Sequence, residues 1–109
     1  MAITYKVLGQ SIPSASTNTD VYTVGAGKSA VVSTINICNQ AASSSAATVA
    51  VRPSGAALST SQYIVYQTPV AANDALALTI GVTLAATDVI TVSSNTGNVS
   101  FSVFGSELS

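Results

Sequence analysis

The stretch that most resembles a ligand-binding motif is Gly27-Lys28-Ser29, whose residue order matches the end of a phosphate-binding loop. Such a loop also needs a glycine five positions before Gly27 and a helix directly after it, because the helix N-terminus faces the phosphate. Tyr22 occupies the earlier position, and the β-branched residues after Ser29 are typical of a strand. We therefore predict no nucleotide site here and interpret the stretch as a turn that ends in a solvated lysine.

Few other side chains in the chain could act on a substrate. The sequence contains no histidine, which excludes Ser–His–Asp and Cys–His nucleophiles and most zinc sites. Cys38 is the only cysteine, and its β-branched surroundings predict a small packed apolar side chain. An interchain disulfide or a reactive thiol is the alternative role for Cys38. We predict that the protein is not an enzyme.

The four carboxylates are Asp20, Asp74, Asp88 and Glu107. Each aspartate precedes a predicted strand, where a turn aspartate typically accepts hydrogen bonds from the local backbone. Two aspartates meeting at one end of the fold would form a calcium site, but no ligand-loop spacing supports one. A glycosidase pair would need a cleft lined by aromatics, and the chain has only four Tyr and two Phe. We therefore predict no metal and no cofactor.

The composition is poor in ions, with 48% hydrophobic and only 6% charged residues. An average soluble domain has about 25% charged residues. A surface made of Ser, Thr, Asn, Gln and Ala loses little solvation energy when it is covered, and it resists self-association weakly. This favours an oligomer or a larger particle over the alternative, an unusually neutral monomer. The three cations, Lys6, Lys28 and Arg52, are too few and too scattered for nucleic-acid binding.

The chain shows no targeting or membrane pattern. Its N-terminus lacks the basic patch and apolar run of a signal peptide. Residues 76–92 are rich in apolar side chains, but threonines and Asp88 interrupt them and the stretch is too short to span a membrane. We expect synthesis in the cytosol without an export signal, and no membrane partner.

Alternating runs separated by Gly, Pro, Asn, Asp and Ser predict an all-β protein. The predicted strands cover residues 4–9, 21–24, 29–38, 47–52, 63–68, 76–84 (with a bend at Gly81), 89–93 and 99–104. Strands 21–24 and 29–38 are expected to form a hairpin, as are 89–93 and 99–104. Pro69 is expected to end its strand. About eight strands in residues 1–109 predict one antiparallel β-sandwich of jelly-roll type, with residues 1–20 as a candidate N-terminal arm.

Tyr63 and Tyr66 are the candidate interface residues, because tyrosine often anchors protein interfaces. Simple alternation places them on opposite faces of one strand. One is therefore expected to face the core, and the other to be exposed or to lie at an interface.

Three stretches together resemble a known family. YTVGAGKSAVVSTINICN at 22–39, ANDALALTIGVTLAATDVITV at 72–92 and NVSFSVFGSEL at 98–108 are similar to segments of small virion structural proteins of tailed phages, especially cyanophages. The first follows a pattern Tyr-Thr-Val-Pro-Ala-Gly-Lys and a strand ending in Cys-Asn, with Gly25 in place of the proline. The resemblance implies a capsid decoration or cement protein, or a tail or fibre component. It implies no site residues.

Three functions remain open at this point. The first is a non-enzymatic virion protein that clamps neighbouring capsid subunits through apolar and hydrogen-bonded contacts, as a homo-oligomer, expected to be a trimer, on the major capsid protein. The second is a tail, baseplate or fibre component, which would occur in far fewer copies per particle. The third is a carbohydrate- or receptor-binding module that uses Tyr63 or Tyr66.

Overall fold

The protein is a sandwich of two antiparallel sheets, seen in a computed structural model that describes residues 3–109. Sheet A contains β1 (Ile3–Ser11), β3 (Ser29–Asn39), β6 (Ala75–Leu78), β7 (Val82–Leu84) and β9 (Val99–Leu108). Sheet B contains β2 (Thr19–Thr23), β4 (Ser45–Arg52), β5 (Tyr63–Val70) and β8 (Val89–Ser94). Two short 3₁₀ turns, Pro53–Gly55 and Thr60–Gln62, lie between β4 and β5. The predicted all-β sandwich is confirmed.

The strand order is that of a jelly roll. Sheet A runs β1-β9-β3-β6, with β7 also paired to β3, and sheet B runs β2-β8-β4-β5. Both β6 and β7 lie against β3, so they act as one strand interrupted near Gly81, where a bend was predicted. Counted this way, the first, eighth, third and sixth strands form one sheet, and the second, seventh, fourth and fifth form the other. This is the double Greek-key arrangement of an eight-stranded jelly roll.

Both predicted hairpins are wrong. The strands β2 and β3 lie in different sheets, and so do β8 and β9. The turn in which the Lys28 N–H bonds the Gly25 carbonyl therefore carries the chain across the sandwich rather than back along a neighbouring strand. The same is true of residues 95–98. Strands with one apolar face can either pair edge to edge or face each other across a core, and the local sequence is the same in both cases.

The core lies between the sheets and draws on both of them. Its fully buried side chains include Val24, Ala30, Val32, Ile35, Ile37, Ala47, Val49, Leu84, Ile90, Val92, Val99, Phe101 and Val103. Phe101 is the largest of these and comes from the central strand β9. Alternate residues of β9 and β3 point inward, which leaves the intervening residues on the outer face of sheet A.

Two local features depart from simple strand rules. Pro69 lies inside β5 instead of ending it, because β5 is the edge strand of sheet B and one side of it needs no backbone donor. Of the segment 1–20 considered as an arm, residues 1–2 lie outside the described residues. Residues 3–11 form β1, which pairs with β9, and residues 12–18 connect it to β2.

Candidate interaction surface

The outer face of sheet A, called here the neutral face, carries no charged residue at an outward position of its strands. The register places Tyr5, Ser106, Val31 and Thr83 in one row across β1, β9, β3 and β7. A second row joins Val7, Phe104 and Thr34, and a third joins Gln10, Ser102, Asn36 and Ala77. All of these residues are exposed or half-buried. The side chains outward on this sheet are thus apolar, hydroxyl or amide groups.

Large apolar side chains are exposed at one end of the neutral face. Tyr5 is 82% exposed, Ile3 54%, Val7 48% and Val31 39%, and Phe104 between them is half-buried. Because Ser106 is small, a groove of about 350 Å³ lies between Tyr5 and Val31, and Lys6, whose strand position faces the other way, also lines it. Contiguous exposed apolar surface of this kind marks contact sites on soluble proteins.

Three of the seven charged residues form one cluster, in which Lys6 and Lys28 meet Glu107. The Tyr22 hydroxyl, from sheet B, donates to Glu107 Oε2 at 2.7 Å. Glu107 Oε1 lies 3.0 Å from Lys6 Nζ and 3.7 Å from Lys28 Nζ, and the Glu107 side chain is only 13% exposed. The Tyr22 hydrogen bond and then Lys6 hold the pKa of Glu107 below its ordinary value. Burial, reinforced by Glu107, raises the pKa of Tyr22 well above its ordinary value.

The Glu107 cluster is best explained as a structural link between strands at one end of the sandwich. It ties β1, β2, β9 and the turn before β3 together, and each charged group has an opposite partner. Lys28, predicted to be solvated, is half-exposed and lies at the edge of this cluster. Among residues 3–109, no three His, Cys, Asp or Glu side chains come close enough together to hold a metal ion.

The other charged residues stabilise sheet B and its turns. Arg52 Nη1 lies 2.9 Å from Asp20 Oδ1, and the Thr91 hydroxyl donates to the same oxygen at 2.9 Å. Asp20 thus lies inside β2 and pairs with a cation, which corrects the prediction of a turn aspartate there. Asp88 does act as a turn aspartate, since it accepts hydrogen bonds from the Ser54 and Ala85 N–H groups.

Asp74 and Cys38 complete the list of predicted chemical groups. Asp74 accepts a hydrogen bond from the N–H of Ala75, as a turn aspartate is expected to do. Cys38 is half-buried at an outward position of β3, opposite Ser100 and Ala75. The cysteine therefore belongs to the neutral face rather than to the core.

Tyr63 and Tyr66 contact each other, and neither belongs to the buried core. Their ring centroids are 4.7 Å apart with the planes inclined by 51°, and Tyr66 is 59% exposed. The prediction of opposite faces is wrong because β5 slips against β4: Val65 pairs with Val49, but Tyr63 pairs with Ala50. The additional residue in β5 is a β-bulge, which changes the parity of the side chains. The pair lies on an edge strand of sheet B.

The neutral face could be predicted only in part. Alternation in β1 predicts that Tyr5 and Val7 lie on one side of the strand, and they do. It does not predict which side of the strand faces solvent. Phe104 and Val31 give no separate signal, because each is an apolar residue next to a buried apolar neighbour, Val103 or Val32. Their contribution depends on the order β1-β9-β3, which no local pattern specifies.

The chain matches no protein-family model, and neither a curated protein nor a solved structure shows significant similarity to it. Within residues 3–109, no helix has the length and apolar character needed to cross a membrane.

Proposed function

We propose that this protein is a non-enzymatic structural subunit of a phage virion, and specifically a capsid decoration or cement protein. The observation that carries the proposal is the neutral face, a sheet surface with exposed Tyr5, Val7 and Val31 and no outward charge. The resemblance to small tailed-phage virion proteins supplies the setting. The partners in this proposal are further copies of the chain, as a trimer, and the major capsid protein.

The size of the neutral face suits a subunit contact. Strands lie about 4.8 Å apart and rise about 3.4 Å per residue, so a face four strands wide and ten residues long covers about 650 Å² in projection. Burying that area on each of two partners would remove about 1,300 Å², just above the lower limit of about 1,200 Å² for a specific stable interface. A neighbouring subunit covering this face would meet that limit.

The chemistry of the neutral face suits a permanent contact. Covering Ser, Thr, Asn and apolar side chains strips no ions of water, so the desolvation cost stays low. Tyr5 at 82% exposure provides a large anchor for a partner's pocket. Since such a contact does not depend on ion pairs, salt should screen it little.

The direct test is to locate the protein in an intact particle. Imaging at subunit resolution should find it on the capsid shell in hundreds of copies, with the neutral face covered by a neighbour. Washing in molar salt at neutral pH should leave it attached. Release by salt would contradict the proposed mode of attachment, and absence from the particle would contradict the function.

A tail, baseplate or fibre component is the second candidate, since it would use the same surface chemistry. Copy number separates the two, because tail parts occur in tens of copies or fewer. A receptor-binding role through Tyr63 and Tyr66 is the third candidate. Loss of binding to a glycan array after Tyr66→Ala, with the fold retained, would favour that role, because Tyr66 is the exposed member of the pair.

A further inference from the structure

We propose that a groove on the outer side of sheet B is a binding site for a neutral saccharide. The groove has a volume of about 380 Å³ and is distinct from both the neutral face and the tyrosine pair. Ser16, Asn18, Thr48, Gln67, Ser93 and Asn95 line it. This inference stands apart from the proposed virion role, since it concerns a different surface and the isolated chain.

The groove presents hydrogen-bonding groups that are not used within the protein. Among residues 3–109, the side chains of Asn18, Gln67, Ser16 and Ser93 make no hydrogen bond. The Asn95 carboxamide oxygen accepts from the Ala46 N–H at 2.8 Å, which leaves its NH₂ group available. Three amides and two hydroxyls therefore converge on one concavity with donors and acceptors to offer.

The walls of the groove are fixed in place by backbone contacts. The Ser16 N–H donates to the Ser94 carbonyl at 2.7 Å, and the Asn95 N–H donates to the Ala46 carbonyl at 3.2 Å. The Gln67 N–H donates to the Thr48 hydroxyl at 3.1 Å. A ligand would thus meet side chains on a scaffold that is already ordered, which lowers the entropic cost of binding.

Two residues of the groove have unusual backbone conformations. Gln67 has φ of 47° and Ser16 has φ of 54°, both in the left-handed region that non-glycine residues rarely adopt. Gln67 is the only such residue that lies inside a strand among those described. Ser16 lies in a turn, as do Asn73 and Thr87 outside the groove, and Ser54 lies in a 3₁₀ segment outside it. The positive φ of Gln67 lies where the pairing of β5 with β4 is irregular, between the Ala47–Thr68 and Val49–Val65 pairs, so a β-bulge places Gln67 in the lining of the groove.

The lining selects the class of ligand. None of its residues is charged, so phosphates and carboxylates would find no counter-ion. It lacks the aromatic or arginine anchors on which protein interfaces centre. Amides and hydroxyls pair well with the hydroxyls of a sugar, and a site of this size accommodates one or two sugar rings. A neutral saccharide is the ligand that satisfies all three conditions.

The test uses the protein described here and an array of neutral mono- and oligosaccharides. Sialylated and phosphorylated sugars serve as the charged comparison ligands. Neutral sugars should bind with millimolar or tighter affinity, and titration followed by NMR should shift the amide signals of Asn18, Gln67 and Ser93. Gln67→Gly should weaken binding at least about tenfold while the melting temperature stays the same or rises, because glycine accepts a positive φ without strain. Asn18→Ala should weaken sugar binding by removing a side-chain amide, without the change in backbone strain that Gln67→Gly brings.

Asn73→Gly is the matched control, since Asn73 has φ of 53° but lies outside the groove. It should leave sugar affinity unchanged. Binding that survives both Gln67→Gly and Asn18→Ala would place the ligand elsewhere and overturn the proposal. So would stronger binding of the charged sugars, or no response to any neutral sugar at millimolar concentration.

Discussion

Tyr22 and Glu107 join the two sheets: the hydroxyl of one, on β2, lies 2.7 Å from a carboxylate oxygen of the other, on β9. Lys6 approaches the second oxygen from β1 at 3.0 Å. One carboxylate thus links three strands at the end of the sandwich, in a protein with only seven charged residues. The stability of the fold should therefore depend on the ionisation of Glu107.

Glu107 should make the protein sensitive to acid. Because its pKa is lowered in the folded protein, its contribution is complete above the unfolded-state value of about 4.3 and disappears as pH falls through the lower folded-state value. Glu107→Gln should reduce stability at neutral pH and flatten its decline in acid. Urea denaturation across this pH range would measure both effects. Asp74→Asn is the control, because Asp74 lies outside the cluster, and this variant should lose stability in acid as the unaltered protein does. If Glu107→Gln also lost stability in acid to the same extent, Glu107 would not be the source of the acid sensitivity.

A charge on the neutral face should prevent association. Val31→Lys would bury an unpaired ammonium if a neighbour covers this face, which is costly. We expect at least about tenfold weaker self-association, measured by light scattering after gel filtration. Ile64→Lys is the matched control, because Ile64 is 41% exposed and Val31 39%, and Ile64 lies on sheet B. Equal masses for the two variants would exclude the neutral face as the self-association surface.

Gly105 should not tolerate even one additional methyl group. A Cβ at this position would overlap the carbonyl oxygen of Val31, where β3 bulges against β9 between Val32 and Thr34. Gly105→Ala should therefore cost about 1–3 kcal/mol of the free energy of unfolding, or more. Gly81→Ala is the control, since a Cβ there would have no neighbour within 4 Å. Similar urea midpoints for both variants would contradict the close approach.

The two phenylalanines should differ sharply in their contribution to stability. Phe101 is fully buried between the sheets, whereas Phe104, on the same strand, points outward and is half-buried. Phe101→Ala should lower the free energy of unfolding by about 3–5 kcal/mol. Phe104→Ala should lower the free energy of unfolding of the monomer clearly less, and it should weaken self-association. Thermal unfolding and mass measurements on both variants therefore test whether Phe101 faces the core and Phe104 the neutral face.

The sequence predicted the strands well but not their partners. Alternation in β9 places Val99, Phe101 and Val103 on one face, and these residues are buried. The turn at Gly25 was also expected. Whether that turn returns along a neighbouring strand or crosses to the other sheet depends on contacts distant in sequence, and so it was predicted wrongly.

The candidate surfaces were harder still to predict. Tyr63 and Tyr66 contact each other only because a bulge in β5, between Tyr63 and Val65, moves Tyr63 to the face that carries Tyr66. No residue type in this stretch predicts a bulge. The positive φ of Gln67 could not be predicted from the residue type, since glutamine rarely adopts a positive φ. No local pattern predicts the order of strands across sheet A, and so Val31 and Tyr5 could not be placed on one surface.

The position of β9 between β1 and β3 has a consequence for biosynthesis. Until residues 99–108 leave the ribosome, β1 has no strand to pair with and the hydrophobic interior lacks its largest side chain. Such long-range pairing delays folding until after most of the chain has been made. Nascent chains stalled before Val99 should therefore be digested rapidly by protease, and they would rely on chaperones to keep them from aggregating.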